Sequence, residues 1–167
     1  MTRYSLFLTL PLMILLSGCW QSDMGRSFYP SGSIKTEATV HNGLLDGPAT
    51  MYYESGAKMS EAFYVGGVLH GKATSYYENG QLYWKGNHKD GEQDGLWEYY
   101  NEDGKLWYKG NYKDGKEDGL WEWYFDNGKI DTKANYKDGK KDGLWKMYYR
   151  NGKIDTKANY KDGKKDG

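Results

Sequence analysis

The sequence predicts an all-β fold: an elongated single antiparallel sheet of stacked β-hairpins with a 24-residue period, preceded by a signal-peptide helix. Three observations predict it. Glycines recur in three interleaved series, Gly47, Gly71, Gly95, Gly119, Gly143, Gly167, then Gly32, Gly56, Gly80, Gly104, Gly128, Gly152, and Gly43, Gly67, Gly91, Gly115, Gly139, Gly163, with every step 24 residues. Rings keep the same period, in a column Phe28, Tyr52, Tyr76, Tyr100, Tyr124, Tyr148 and another Trp97, Trp121, Trp145 that reads Ala49 and Ala73 earlier. No later segment shows a 3.6-residue apolar period long enough for a helix. Self-similarity at a fixed period marks a repeat array, and residues 128–143 recur unchanged as 152–167.

The first element is not part of the array. Arg3 precedes an apolar run from Leu6 to Leu16, broken only by Thr9 and Pro11. Such a run is too short for a ~30 Å hydrocarbon core, which needs about 20 helical residues, but it fits a signal-peptide h-region. Residues 1–18 therefore read as a signal peptide, 19–23 as a short tether and 24–167 as about six repeats. Leu16-Ser17-Gly18-Cys19 resembles a bacterial lipobox. That resemblance implies cleavage before Cys19 and attachment of diacylglycerol and fatty acyl (palmitate-type) chains to it. The protein would then be exported and anchored to a membrane without a spanning helix. Trp20 stands where Asp would favour inner-membrane retention, so the resemblance favours the outer membrane if the cell has one. The alternative is an ordinary secretory signal with a chance cysteine. Cys19 is the single cysteine, so no intrachain disulfide is available.

Composition narrows the class. Seventeen Tyr and seven Trp argue against disorder. Twenty-three basic residues balance 23 acidic ones, which leaves no net electrostatic footprint for nucleic acid.

Within one unit, Leu96–Asn101 is short, aromatic-rich and bounded by Asp-Gly pairs, as a strand between tight turns would be. Lys105–Lys113 is the second strand, closed by Asp114-Gly115. Alternation puts Leu106, Tyr108, Gly110 and Tyr112 on one face, with Lys105, Trp107, Lys109, Asn111 and Lys113 on a solvated face. The position of Gly110 is small in every unit: Ala38, Ala62, Gly86, Gly110, Ala134, Ala158. A small column beside large ones implies a ring from a neighbouring strand lying over it. In the first strand both faces carry rings. The Tyr100 column is expected to be packed and the Trp97 column exposed, with the reverse as the alternative. Units of two strands stack one-dimensionally and need capped ends. The chain stops two residues into a seventh unit, which suggests a fragment of a longer array or a frayed last unit.

The pattern from Asp94 to Lys105 (D-G-L-W-x-x-Y-x-x-x-G-K), followed by Asn111-Tyr112-Lys113-Asp114-Gly115-Lys116, resembles the bacterial variant of the MORN repeat over roughly residues 24–167. The match is looser in the first three units, where Ala replaces Trp. The resemblance implies stacked hairpins and a binding or scaffolding role with membrane or protein partners. Bacterial members often carry an antitoxin label, YwqK-type. Some family members are phosphatidylinositol-phosphate kinases, but their kinase domain is separate, and no Gly-rich phosphate loop with its Lys is present here.

Catalytic constellations are not found. His41, His70 and His88 replace repeat residues separately and do not form a ligand cluster. The Asp-Gly pairs lack the EF-hand pattern and read as turns. No cofactor is implied, and the chain is not expected to be an enzyme. The leading expectation is a membrane-anchored protein-binding or scaffolding module. Its candidate surface comprises Trp97, Tyr99, Trp121, Trp123 and Trp145, since rigid rings are frequent binding anchors. The alternative is that these tryptophans only pack the sheet. Cell-wall glycan binding is a second functional expectation, because the ring-rich repeats are partly similar to choline-binding modules. Immunity outside the cytoplasm is a third.

Overall fold

The computed structural model describes residues 23–166. The signal-peptide helix, the cleavage site and Cys19 lie outside them. The described residues contain no helix. They form one 15-stranded antiparallel sheet: β1 (Asp23–Phe28), β2 (Ile34–His41), β3 (Leu44–Tyr52), β4 (Lys58–Val65), β5 (Val68–Leu69), β6 (Gly71–Tyr76), β7 (Leu82–Lys89), β8 (Glu92–Tyr100), β9 (Leu106–Lys113), β10 (Lys116–Glu117), β11 (Gly119–Tyr124), β12 (Ile130–Lys137), β13 (Lys140–Tyr148), β14 (Ile154–Lys161) and β15 (Lys164–Asp166). Strands follow one another as a meander, and the short β5 and β10 each pair with the strand before them.

The three glycine series do three different jobs. Asp114-Gly115 and its counterparts are two-residue turns with positive φ at both positions, 48° and 71° here. This is the primed turn whose twist suits a hairpin, and Asp followed by Gly tolerates it best. The Gly104 series closes a longer loop. Gly104 N–H donates to Asn101 C=O at 2.9 Å, and Asn101 N–H donates to Lys105 C=O at 2.9 Å. That is a turn followed by a left-handed glycine bulge.

The Gly95 series, expected to bound a strand, lies inside one. Gly95 has φ +74° within β8, and the β7–β8 register slips between Lys85 and Asn87. The strand thus begins at Glu92 rather than Leu96, because Asp94-Gly95 forms a bulge and not a turn. In two units the same bulge interrupts the strand, which separates β5 from β6 and β10 from β11.

Consecutive units are stitched at both ends. The turn glycine of one unit donates its N–H to a carbonyl of the unit before, as in Gly67 to Leu45 at 2.7 Å, Gly115 to Gln93 at 3.1 Å and Gly163 to Lys141 at 2.8 Å. At the opposite end, the hydroxyls of Tyr29, Tyr53 and Tyr77 donate to the carbonyls of Tyr52, Tyr76 and Tyr100 at 2.7–2.8 Å. Asn101 and Phe125 replace this tyrosine in later units, so the second stitch belongs to the first half of the array.

A single sheet has no second layer to cover it, so burial must come from side chains lying over the sheet itself. Gly110 makes this possible. A Cβ built on it would stand 2.1 Å from the Trp121 ring, and one on Gly86 would stand 2.3 Å from the Trp97 ring. Gly110→Ala is therefore expected to lift Trp121 and cost about 1–3 kcal/mol, the usual range for overpacking. Urea unfolding checks this, and an unchanged midpoint would contradict the close approach.

Candidate functional site

The small column predicts the buried face correctly, but the first-strand assignment is reversed. Trp97 pairs with Gly110 across β8–β9 and Trp121 with Ala134 across β11–β12. Both indoles, expected on an exposed surface, are only 3% exposed. Their N–H groups donate to Asn87 and Asn111 carbonyls at 3.2 Å, so the polar edge of each ring is satisfied. The Tyr100 column, expected to be the packed one, is half-buried on the opposite face. The cause is a bulge: Tyr99 pairs with Tyr108 but Tyr100 pairs with Leu106. Trp107 is the extra residue. It stands 46% exposed with its ring 4.9 Å from that of Tyr108, on the ring-bearing side and not among the lysines as strict alternation predicts.

The ring-bearing face is densest in the middle of the array. Trp84 lies 5.0 Å from Trp97, and Tyr99 stacks on Tyr108 at 4.3 Å and 19°. Tyr108 in turn stacks beside Trp121 at 6.2 Å and Trp123 at 6.4 Å. Tyr99, Trp123 and Trp145 are half-buried. Burial raises the Tyr99 and Tyr108 phenols well above their ordinary pKa.

The ring row breaks after Trp123. Residues 24 apart in the Tyr108 column read Thr36, Ser60, Trp84, Tyr108, Thr132 and Thr156, so a ring stands there in two central units only. Thr132 sits between Trp123 and Met147 on the two neighbouring strands, where the preceding two units have a ring. Beside it, Trp145 faces Ala134 and not a glycine, and this indole is half-buried, unlike Trp97 and Trp121. The result is an open cleft of about 300 Å³. Trp107, Trp123, Trp145 and Met147 form its apolar walls. Asp131, Thr132, Tyr136 and Lys141 supply polar groups around it. Lys141 Nζ stands 5.4 Å from the Trp145 ring and 5.1 Å from the Tyr160 ring.

Of the candidate residues, the structure brings Trp123 and Trp145 to this cleft and closes Trp97 and Trp121 away from it. Trp107, Asp131, Thr132, Tyr136, Lys141 and Met147 were not singled out from the sequence. Their signal was the gap in a 24-residue ring column.

The opposite face is built from charge and tyrosine hydroxyls. Tyr52 and Tyr76 donate to Glu37 and Glu61 at 2.9 Å. The Tyr52 hydroxyl, and then Arg26, hold the Glu37 carboxyl below its ordinary pKa. From the third unit the Glu of that column becomes Lys85 and then Lys109, which pair with Glu98 at 2.7 Å and Glu122 at 3.4 Å. Net neutrality also hides a segregation. Residues 23–128 hold 10 basic and 17 acidic side chains, whereas 129–166 hold 12 basic and 6 acidic ones. The last quarter, which supplies most of the cleft's lining, is therefore the basic end. Among the described residues, no group of three His, Cys, Asp or Glu could hold a metal ion.

These features define a class: a one-layer β-repeat protein with a ring-bearing face and a charged face. The chain belongs to the MORN repeat variant family, whose model matches residues 45–65, 69–90, 93–114, 117–138 and 141–162. The match covers repeats alone and shows no catalytic domain. The hairpin β1–β2 extends the same architecture ahead of the first matched repeat. No curated protein matches the chain. Among solved structures, it is similar to a chain in the crystal structure of accessory secretory protein 1,2 and 3 in Streptococcus pneumoniae, at 15% identity and a TM-score of 0.25. That match covers 84% of this chain but only 22% of the other.

His88 offers a check on the packed face. It replaces the Tyr of its column, stands edge-on to Trp97 at 5.1 Å, and its buried Nδ1 has no hydrogen-bond partner. Burial lowers its pKa below 6.5. A lowered pKa means the unfolded chain binds the proton first, so stability present above about pH 6.5 is lost as pH falls through the folded value. His88→Tyr is expected to remove the loss between about pH 6.5 and 5, above the carboxylate range. Parallel melting curves for the two proteins over that window would contradict the burial.

Proposed function

We propose that the chain is a non-catalytic binding module, held at the cell envelope through Cys19, whose ligand docks on the ring-bearing face where it opens between Trp123 and Trp145. The observation that supports docking there is the contrast along one face. In the two preceding units rings cover rings, and the indoles of Trp97 and Trp121 are out of reach. At Thr132 no ring lies over the neighbouring strands, and the apolar walls of the open cleft meet polar groups. A long protein footprint along the Trp97–Trp121–Trp145 column is disfavoured, because two of its three rings are occupied in packing. The support for the anchor is the lipobox-like Leu16-Ser17-Gly18-Cys19 and the apolar run before it.

Two measurements test the reading. In a bacterium with lipoprotein machinery, a clickable palmitate analogue is expected to label the chain and the chain to sediment with membranes. Cys19→Ser should lose both, and a variant that still sediments would contradict the anchor. A photo-crosslinker placed at Met147 should give a discrete adduct on intact cells, and one at Leu96 on the opposite face should not. No adduct from Met147 would sink the docking site.

A further inference from the structure

We infer that the cleft at Thr132 is a saccharide subsite, taking one uncharged or acidic pyranose ring in the place that Tyr108 fills one unit earlier. The inference rests on the docking site proposed above and names its ligand class.

The cleft lies at the position that a ring fills one unit earlier. Tyr108 sits with Tyr99 on one side at 4.3 Å and Trp123 on the other at 6.4 Å. One unit on, Trp123 and Met147 occupy the flanking positions and Thr132 leaves the space between them open. A pyranose has an apolar face of C–H groups that suits stacking on indole, and a rim of hydroxyls. Asp131 and Tyr136 offer acceptors, and Thr132, Tyr136 and Lys141 offer donors.

Two competing ligand classes fit less well. An ammonium ligand would seek the aromatic walls, but Lys141 already places its own ammonium 5.4 Å from the Trp145 ring and would repel a second cation. The basic excess over residues 129–166 adds to that repulsion. A peptide bound by strand addition needs a free sheet edge. β12 is paired on both sides at the cleft, Thr132 with Trp123 and Thr132 with Met147, so no backbone edge is open there. A saccharide needs only side chains.

The test uses the chain from Cys19 onward with Cys19→Ser, chitohexaose and N-acetylmuramic acid as probes, and choline chloride as the cation control. A one-ring contact on an open cleft should give a Kd of about 1 mM. Saturable change in tryptophan fluorescence is expected with both sugars and none with choline. Thr132→Tyr restores the ring of the preceding unit, so it should abolish sugar binding at 10 mM probe while the Tm stays equal or rises. That opposition separates a blocked site from a broken fold. Lys141→Met should weaken N-acetylmuramic acid more than chitohexaose.

Choline binding in preference to either sugar would overturn the inference, as would sugar binding retained in Thr132→Tyr. If neither sugar binds but Met147 still crosslinks a cell component, the docking site stands and the saccharide assignment falls. If Met147 crosslinks nothing and no sugar binds, both fall.

Discussion

An indole lying flat over a glycine on the next strand is the contact on which the rest of this sheet depends. A single β-layer exposes both faces, and an amphipathic strand normally buries its apolar side against a second layer. Here no second layer exists among the described residues. Trp97 and Trp121 fold onto Gly86 and Gly110, and rings from neighbouring strands cover them in turn. Each indole also closes its N–H on a backbone carbonyl of the strand it covers. One residue type thus supplies area, coverage and a satisfied polar edge, and the price is a column that must stay small.

The same constraint explains where the array can bind. Wherever a glycine lies opposite, the indole is spent on packing. Where Ala134 replaces the glycine and Thr132 replaces the ring, Trp145 is half-buried and Trp123 loses a neighbour. Two small changes in one unit convert a closed face into an open cleft. The charged face does not show this break. Its tyrosines stay tied to the Glu or Lys columns as the charges exchange places between strands, as in Glu61 with Tyr76 and Lys109 with Glu122.

Much of the fold was legible because the period is unbroken. The glycine series fixed the unit length, and the small column pointed to rings lying across a neighbouring strand. Two things were hidden by bulges. Asp94-Gly95 and Asp114-Gly115 are the same dipeptide, yet one is a bulge inside a strand and the other a turn; their difference lies in cross-strand pairing, which local sequence does not carry. The bulge at Trp107 shifts the hairpin register by one residue, so the column of Tyr100 faces away from the small column and Trp97 faces it. The expectation of a packed Tyr100 column and an exposed Trp97 column has both on the wrong side. The cleft was visible as Thr132 in a column of Trp84 and Tyr108, but its meaning needed the strand order. Charge also needs a positional reading: a sum of zero conceals that residues 129–166 carry twice as many basic as acidic groups.

The central claim concerns two particular indoles, and hydrogen exchange of the tryptophan Nε1 protons reads them individually. Indole N–H groups that are buried and bonded to carbonyls exchange only on opening of the sheet. Assigned NMR spectra should show Trp97 and Trp121 protected by at least about 100-fold relative to Trp107, with Trp145 between them, since local openings of a few kcal/mol slow exchange by that order. Exchange of Trp97 and Trp121 at the rate of Trp107 would contradict the account.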